Sequence, residues 1–539
     1  MIILGINGGV RAGYQDVSAV LVKNGEVVYA IAEERLNRKK HSSGQLPFLS
    51  IHSALDFAKI NIQDVDYIAT HGSTWGEAYE AVLAEYMQNS FGHCPKIVRV
   101  HHHIAHAASA YYGSGYDESM VLTMDASGDG IAVQKAIGKA GVLQVVDQIS
   151  RDNSLGIFYS IITQYCGFTR DTDEYKLMGL APYGNANLVK LDDVIEINSA
   201  NYVVNQAFLK EMKPGTPQGS RQQAAYSKKL IDLLGPARLP GAEMSAHYKN
   251  VAAAAQCKLQ EAIVNLVTQF HKETGLRTIC LAGGVALNCE VNRHLMALPF
   301  IDQVFVQPAS GDDGISLGAA WYVSNEMGFR PVPAAHYYIG NAFSNDKILA
   351  DLNLMRVSYQ HVEDPASAAA SLVSQDKIVA WFQNRDEFGP RALGARSILA
   401  NPCNPSMKKL LNQKIKFREG FRPFCPSVLE EDVALHFTGK QSLSPYMTIN
   451  YKVLNSSLTP SISHANNTAR IQTVNNRHHP LFYDYLKNLK KEIGVGMSIN
   501  TSFNRNQEPI VHQPIEAVSA FYGSGIDALI IGNYLLEKN

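Results

Sequence analysis

The sequence predicts two consecutive α/β domains, and three observations carry that prediction. Short apolar runs alternate with longer helix-like stretches over most of the chain. The first residues read as a strand, a glycine-rich turn and a hairpin. Around residues 329–333 the run Phe-Arg-Pro-Val-Pro would break any helix, because proline lacks the amide that a helix needs.

Taken in order, residues 2–6 form a short buried strand, followed by a glycine-rich loop through Gly13. Residues 18–23 and 26–31 flank Asn24-Gly25, the strongest short-range hairpin signal. Actin-like, Hsp70-type ATPase domains open in this way, as do many other α/β proteins. Residues 96–100 lead into a helix, 120–125 into a turn, 278–281 into a helix, and 304–307 into a helix from about Ile315. A fresh helical pattern begins near Asp346, so the boundary falls at 330–345. The first domain is expected over 1–335 and a second α/β domain over 345–539, with no short repeat or low-complexity tract.

Bulk composition excludes several classes. With 46% hydrophobic and 18% charged residues, the chain has the balance of a globular protein, not a disordered one. Its 539 residues call for two or more domains. A formal net charge of −1 offers no long-range attraction to a phosphate backbone, so no nucleic-acid partner is expected. Seven cysteines, none in a CxxC pair, argue against a closed disulfide framework and for a reducing compartment. No apolar run reaches the roughly 18 residues of a membrane span, and the opening MIILGINGG lacks a signal peptide's basic lead. A cytoplasmic location is expected.

The sharpest local chemistry is His101-His102-His103-Ile104-Ala105-His106, which follows a strand and opens a helix. His102 and His106 then share a helix face at i and i+4, and two imidazoles so spaced can bind one metal ion. The alternative is a histidine cluster satisfied by hydrogen bonds. Two acidic glycine turns at strand ends, Asp125 to Gly130 and Gly311 to Gly314, offer Asp125, Asp312 and Asp313 as candidate ligands; alone, each could be a simple turn. A mixed histidine and carboxylate set suits iron, manganese or zinc.

Leu281-Ala282-Gly283-Gly284 runs from a strand toward a helix, an arrangement that aims backbone N–H groups at an anion or serves simple packing. Lys176, among small and apolar residues, either snorkels or faces an anion. In the second domain, Arg391, Arg418, Arg422 and Arg470 lie in glycine- and aromatic-rich surroundings. Such guanidiniums either hold phosphates and carboxylates bidentately or form structural pairs with Glu387 and Glu419. The run Asn500-Thr501-Ser502 adds amide and hydroxyl groups that can orient a phosphate or carbonyl.

Together these segments resemble the NodU/CmcH-type O-carbamoyltransferases, which include the tobramycin and nodulation-factor enzymes. The likeness spans almost the whole chain: AEERLNRKKH, HHIAHAAS, SLGIFYSIIT, KLMGLAPYG, LAGGVALN, SGDDGISLGAA, EFGPRALGARSILANP, KFREGFRPF and NTSFN. The resemblance implies an actin-like N-terminal domain, similar to the tRNA threonylcarbamoyl-transferase subunit, and a YrdC-like C-terminal domain. The C-terminal domain would make carbamoyl-adenylate and pyrophosphate from carbamoyl phosphate and Mg-ATP. The N-terminal domain would pass the carbamoyl group to a hydroxyl or amine of a small natural-product acceptor, in a monomer or homodimer. Carried over by motif, His102, His106, Asp125 and Asp312 would hold the metal, iron by resemblance. Gly283, Gly284, Asp313, Lys176, Lys416 and Asn500 would line the nucleotide, and Arg391, Arg422, Arg470 and Ser502 would bind carbamoyl phosphate.

The resemblance breaks at one position. The family pattern after the first glycine loop is His-Asp, whose histidine takes the acceptor's proton; here it is Gln15-Asp16. Glutamine is no base near neutral pH, which leaves Asp16 as the proton acceptor or Gln15 as an acceptor-pocket residue. Two other readings compete: a tRNA threonylcarbamoyl transferase, and an actin-like nucleotide-binding protein without transfer chemistry. A hydrogenase-maturation carbamoyltransferase would bring CxxC zinc motifs that this sequence lacks.

Overall fold

The computed structural model describes residues 1–9, 16–210, 223–441 and 443–538. Contacts divide the chain into one unit of Met1–Ala30 with His41–Ala334 and another of Ile31–Lys40 with Ala335–Asn539. No helix among the described residues is long and apolar enough to cross a membrane.

The first unit contains two sheets of the same design. In one, β1 (Ile2–Asn7), β2 (Ser18–Lys23) and β3 (Glu26–Ala32) are joined by β4 (Tyr67–Thr70) and β5 (Lys96–Arg99), in the order β3-β2-β1-β4-β5. β2 runs antiparallel to β1, while β4 and β5 run parallel to it. Asn24 and Gly25, at φ 51° and 87°, make the tight β2–β3 turn, whose twist matches that of the strands.

The other sheet starts with a meander of β6 (Glu118–Gly128), β7 (Ile131–Lys139) and β8 (Val142–Ser150). A small hairpin, β9 (Ile195–Ile197) with β10 (Tyr202–Val204), stands apart before β11 (Thr278–Ala282) and β12 (Gln303–Val306) complete the order β12-β11-β6-β7-β8. β11 is parallel to both β6 and β12. Three strands in antiparallel succession followed by two parallel ones thus occur twice, as the actin-like reading of the N-terminal domain requires.

Two helices join these sheets: α1 (His102–Ser114) and α2 (Ile315–Glu326). Both are rich in small residues, and their backbones touch. A Cβ on Gly318 would sit 1.7 Å from the Ala105 carbonyl oxygen, and one on Gly5 of β1 would sit 2.0 Å from the Ser316 carbonyl oxygen.

The second unit is built on an eight-stranded mixed sheet. Its strands are β13 (Gln360–His361), β14 (Val379–Phe382), β15 (Arg396–Ala400) and β16 (Cys425–Leu429), and later β20 (Gln472–Val474), β21 (Met497–Ser502), β22 (Ala528–Ile531) and β23 (Tyr534–Glu537). Between them in sequence, β17 (Phe437–Thr438), β18 (Asn450–Val453) and β19 (Thr468–Arg470) form a separate three-stranded sheet. The large sheet has the order β13-β23-β22-β14-β15-β21-β16-β20. The Pro480–Ile493 helix buries Phe482, Tyr485, Leu486 and Leu489, spaced i, i+3, i+4 and i+7, against Trp381 and Leu399 of that sheet.

Residues 31–40 join this unit through arginines, a link that hydrophobic periodicity does not signal. Arg38 donates to the Ile510 and Pro509 carbonyls at 2.7 and 2.8 Å, and Arg35 donates to the Gly389 carbonyl at 3.2 Å.

The Gly318–Ala105 approach generates a prediction. In Gly318→Val the added Cβ meets a backbone oxygen, which cannot swing away as a side chain could. Overpacking costs roughly 1–3 kcal/mol, and this site belongs at the upper end. The thermal midpoint of the variant should fall clearly in a calorimetric scan; an unchanged midpoint would contradict the packing described.

Candidate functional site

The first unit gathers His102, His106, Asp125 and Asp312, with one ligand atom from each lying within 4.8 Å of all the others. Local structure accounts for each. His101 caps α1, its ring nitrogen accepting the His103 N–H at 3.2 Å, so His102 and His106 follow on one helical face. Pairing of β6 with β7 slips between Met124 and Gly128, and this bulge frees Asp125 from the ladder. A Cβ on Gly128 would fall 2.0 Å from the His102 ring, so only glycine leaves the imidazole room. Asp312 opens the short turn ahead of α2.

Asp125 Oδ2 is 3.1 Å from His102 Nε2 and 3.4 Å from His106 Nε2; Asp312 Oδ1 is 3.8 and 3.5 Å from the same two atoms. His106 is fully buried, and neither of its ring nitrogens has a hydrogen-bond partner. Burial opposes charge on this ring, yet the two carboxylates outweigh burial and push its pKa up to about 9. Burial and the neighbouring Asp125 raise Asp312, while Asp125 stays well below the usual carboxylate range because the two imidazoles overcome its burial. Two crowded carboxylates beside two imidazoles demand a positive charge. Two nitrogens and two oxygens converging on one point are a donor set that a divalent ion fits.

The remaining histidines have other tasks. His103 is buried between Thr123 Oγ1 at 2.7 Å and the Ile131 carbonyl at 3.0 Å, which makes it structural. Two supporting groups escaped the sequence reading. Asp129 accepts the His102 N–H at 2.8 Å and the Thr74 hydroxyl at 2.5 Å, placing a carboxylate at the positive end of α1. His71, at the end of β4, sets its ring edge-on to His102 with centroids 5.6 Å apart; burial, and then His102, push its pKa down to about 3. Its position directly after a strand was the one signal that could have drawn attention to it.

The Gly283-Gly284 turn packs on the same cluster: a Cβ on Gly283 would meet the Met124 carbonyl oxygen at 2.2 Å, and one on Gly284 would meet Asp125 Oδ1 at 3.1 Å. Gly283 has φ 88°, a conformation that glycine adopts without strain. The helix expected directly after this turn starts later, at Cys289, where Asn288 caps it by accepting the Val291 N–H. Only a single 3₁₀ turn follows the glycines. Asp313 is buried, and its carbonyl accepts the Ser18 hydroxyl at 2.7 Å. Lys176 pairs with Asp173 at 3.0 Å. Asp16 meets His41 at 2.6 Å, and Gln15 lies outside the described residues.

In the second unit, Asn500 and Ser502 alternate along β21 and so share a face, with Cys425 opposite Asn500. Arg470 donates to Cys425 Sγ at 2.9 and 3.1 Å. Asn500 donates to Ser427 and Gln472, leaving its own buried carbonyl oxygen without a hydrogen bond. The Lys416 ammonium is buried against the Ser502 carbonyl at 2.5 Å and Asn504 Oδ1 at 2.7 Å. Burial, and then Arg418, Arg422 and Lys40, hold its pKa well below the usual lysine value. Arg422 faces Glu419 at 3.6 Å, the structural pairing left open above.

Arg391 lies half-buried in residues 384–395, a loop pinned at both ends. Asp386 is buried between Arg396 at 2.8 Å and His512 at 2.5 Å, and Glu387 accepts the Leu393 and Arg396 amides. Glu387 also lies 4.0 Å from Arg35.

Lys416, Arg418, Arg422 and Lys40 form a cationic cluster of the kind that would attract an anion. The charged lysine binds an anion better than the neutral one. Inorganic pyrophosphate should therefore bind less tightly as pH rises, with the loss starting below the pH at which an ordinary lysine deprotonates. Lys416→Met should weaken binding roughly 10- to 100-fold at neutral pH and remove that pH dependence. Calorimetric titration checks both; equal affinity in the variant would contradict the assignment.

The chain matches the family models described as "Carbamoyltransferase N-terminus" over residues 76–321 and "Carbamoyltransferase C-terminus" over residues 370–538. An uncharacterized protein of Synechocystis sp. is 35% identical over 98% of this chain and 96% of its own length. The nodulation protein NolNO of Sinorhizobium fredii is 32% identical over 100% of this chain and 83% of its own. A 3'-hydroxymethylcephem-O-carbamoyltransferase of Amycolatopsis lactamdurans is 27% identical over 69% of this chain and 66% of its own. With two carbamoyltransferase models matched in sequence order and full-length relatives above 30% identity, the chain belongs to the carbamoyltransferase family and is a transferase.

Proposed function

We propose that this enzyme makes carbamoyl-adenylate from carbamoyl phosphate and ATP in its second unit, and transfers the carbamoyl group to a hydroxyl of a small acceptor in its first. The observation that carries the reading is a complementary pair of charge patterns. The second unit concentrates Lys416, Arg418, Arg422 and Lys40, as two phosphorylated substrates would require. The first unit sets two imidazoles and two carboxylates around one point. A hydroxyl acceptor is supported by the cephem O-carbamoyltransferase among the relatives.

In the first step, Arg391, Arg422, Arg470 and Ser502 bind carbamoyl phosphate, and Lys416 and Asn500 orient the nucleotide phosphates. The pinned loop 384–395 keeps Arg391 in place during the reaction, so little reorganisation is needed. In the second step, the amides of Gly283 and Gly284 and the side chains of Lys176 and Asp313 hold the adenylate. His102, His106, Asp125 and Asp312 would bind a divalent ion, iron or else manganese or zinc. Such an ion would supply electrostatic stabilisation of the departing phosphate.

The test uses the whole chain with carbamoyl phosphate and Mg-ATP, reading pyrophosphate release and bound metal. Wild type should release pyrophosphate only when carbamoyl phosphate is present. Arg391→Ala should lose this by about 30-fold or more, since truncating a charge-paired phosphate contact costs roughly 2–5 kcal/mol. His106→Ala should keep it, while bound metal falls well below one per chain. A wild-type chain that releases no pyrophosphate would refute the adenylate reading.

A further inference from the structure

We propose that Cys425 is a positioning residue for the first step: its sulfur sets the direction of the Arg470 guanidinium, and through it the affinity of the second unit for carbamoyl phosphate. This inference rests on the reading above in which Arg470 binds that substrate.

Arg470 ends β19 and reaches across to β16. Its Nη2 and Nε donate to Cys425 Sγ at 2.9 and 3.1 Å. Two N–H groups on one edge of the planar fork fix both its plane and its heading, whereas a single hydrogen bond would leave it free to swing. Cys425 is itself only 6% exposed and lies in the ladder directly opposite Asn500 of β21. The sulfur is therefore the fixed partner, and the longer arginine side chain follows it.

The surroundings of this contact point to a ligand. Gln472 Oε1 accepts from Ser427 Oγ at 2.6 Å and from Asn500 Nδ2 at 3.1 Å, so three buried side chains from three strands lock one another. Asn500 is 2% exposed, yet its own carbonyl oxygen has no hydrogen-bond partner among the described residues. A buried acceptor left in that condition is costly, and it calls for a donor from a bound molecule. Carbamoyl phosphate carries one in its amide. Opposed residues of a ladder leave the sheet on one face, so the Cys425 sulfur and the Asn500 amide stand side by side. Two residues further along β21, on that same face, the partly exposed Ser502 hydroxyl accepts from Lys416 Nζ at 3.3 Å. Arg470 and Lys416 thus bring two cations to neighbouring positions on one strand.

A cysteine suits this task better than an acid. Asp386 holds Arg396 at 2.8 Å and Glu419 faces Arg422 at 3.6 Å, each through a carboxylate. A sulfur is a weak acceptor by comparison. It aims the Arg470 guanidinium without the strong Coulomb attraction by which a carboxylate would compete with an incoming phosphate.

The test follows pyrophosphate release by the full chain with Mg-ATP while carbamoyl phosphate is varied. Cys425→Ala should raise KM for carbamoyl phosphate roughly 5- to 30-fold, with kcat and the KM for ATP nearly unchanged. Cys425→Ser, which keeps an acceptor at the position, should recover part of that loss. In the Arg470→Ala background, Cys425→Ala should raise KM no further, because its effect passes through the arginine. Should Cys425→Ala fail to fold, Cys425→Val carries the same test. An unchanged KM in the apolar variant, a serine variant as impaired as it, an equal rise in the KM for ATP, or losses that add in the double variant would each overturn the role of Cys425. If Arg470→Ala alone leaves KM for carbamoyl phosphate unchanged, or the wild type releases no pyrophosphate, the first-step reading itself is wrong and the role of Cys425 falls with it.

Discussion

The first unit is organised around two carboxylates that would repel each other if left alone. Asp125 and Asp312 are held within reach of the same two imidazoles, and the price is visible in the raised Asp312 and the strongly basic His106. Everything that brings these groups together is backbone packing: the β6 bulge, the gap at Gly128, and the contact of Gly318 with Ala105 that fixes α1 against α2. Because the helices meet backbone to backbone, a shift in α1 would move His102 and His106, and a shift in α2 would move the turn ahead of it that carries Asp312. The like-charge pair is therefore held by rigid elements, and its unfavourable electrostatics are available to bind a cation.

The second unit solves the opposite problem, that of keeping positive charges together. Lys416 donates to oxygens of Ser502 and Asn504, while burial and then Arg418, Arg422 and Lys40 hold its pKa well below the usual lysine value. Glu419 pairs with Arg422 of the cluster, while Asp386 is held by Arg396 and His512 and Glu387 by two backbone amides. Asp386 is held below the usual carboxylate range despite its burial, because Arg396 first, and then the contact with His512, outweigh desolvation. That buried network fixes the loop carrying Arg391 without spending the cationic cluster on it.

Much of this was legible in the sequence, and what was not has a physical reason. The His102–His106 pair was readable because i, i+4 spacing is a local property of a helix; the acidic glycine turns offered Asp125, Asp312 and Asp313 together, and only the family resemblance picked out Asp125 and Asp312. The Asn24-Gly25 hairpin was readable for the same local reason. Groups that act across distant segments were not: Asp129 supports His102 through a loop contact, and His41 reaches Asp16 across 25 positions. The allegiance of residues 31–40 to the second unit depends on Arg35 and Arg38 finding carbonyls more than 350 positions away. The helix after Gly283-Gly284 was placed too early because Asn288, a stronger cap, sets the start four residues on.

The central claim, that Asp125, Asp312, His102 and His106 are arranged for a cation, is tested most directly by anomalous X-ray diffraction from crystals of the purified chain. Data collected across the iron, manganese and zinc absorption edges should show one peak among the four side chains, roughly 2.0–2.2 Å from two nitrogens and two oxygens. Absence of any peak in metal-supplemented crystals, with a protonated His106 bridging the two carboxylates, would contradict the account.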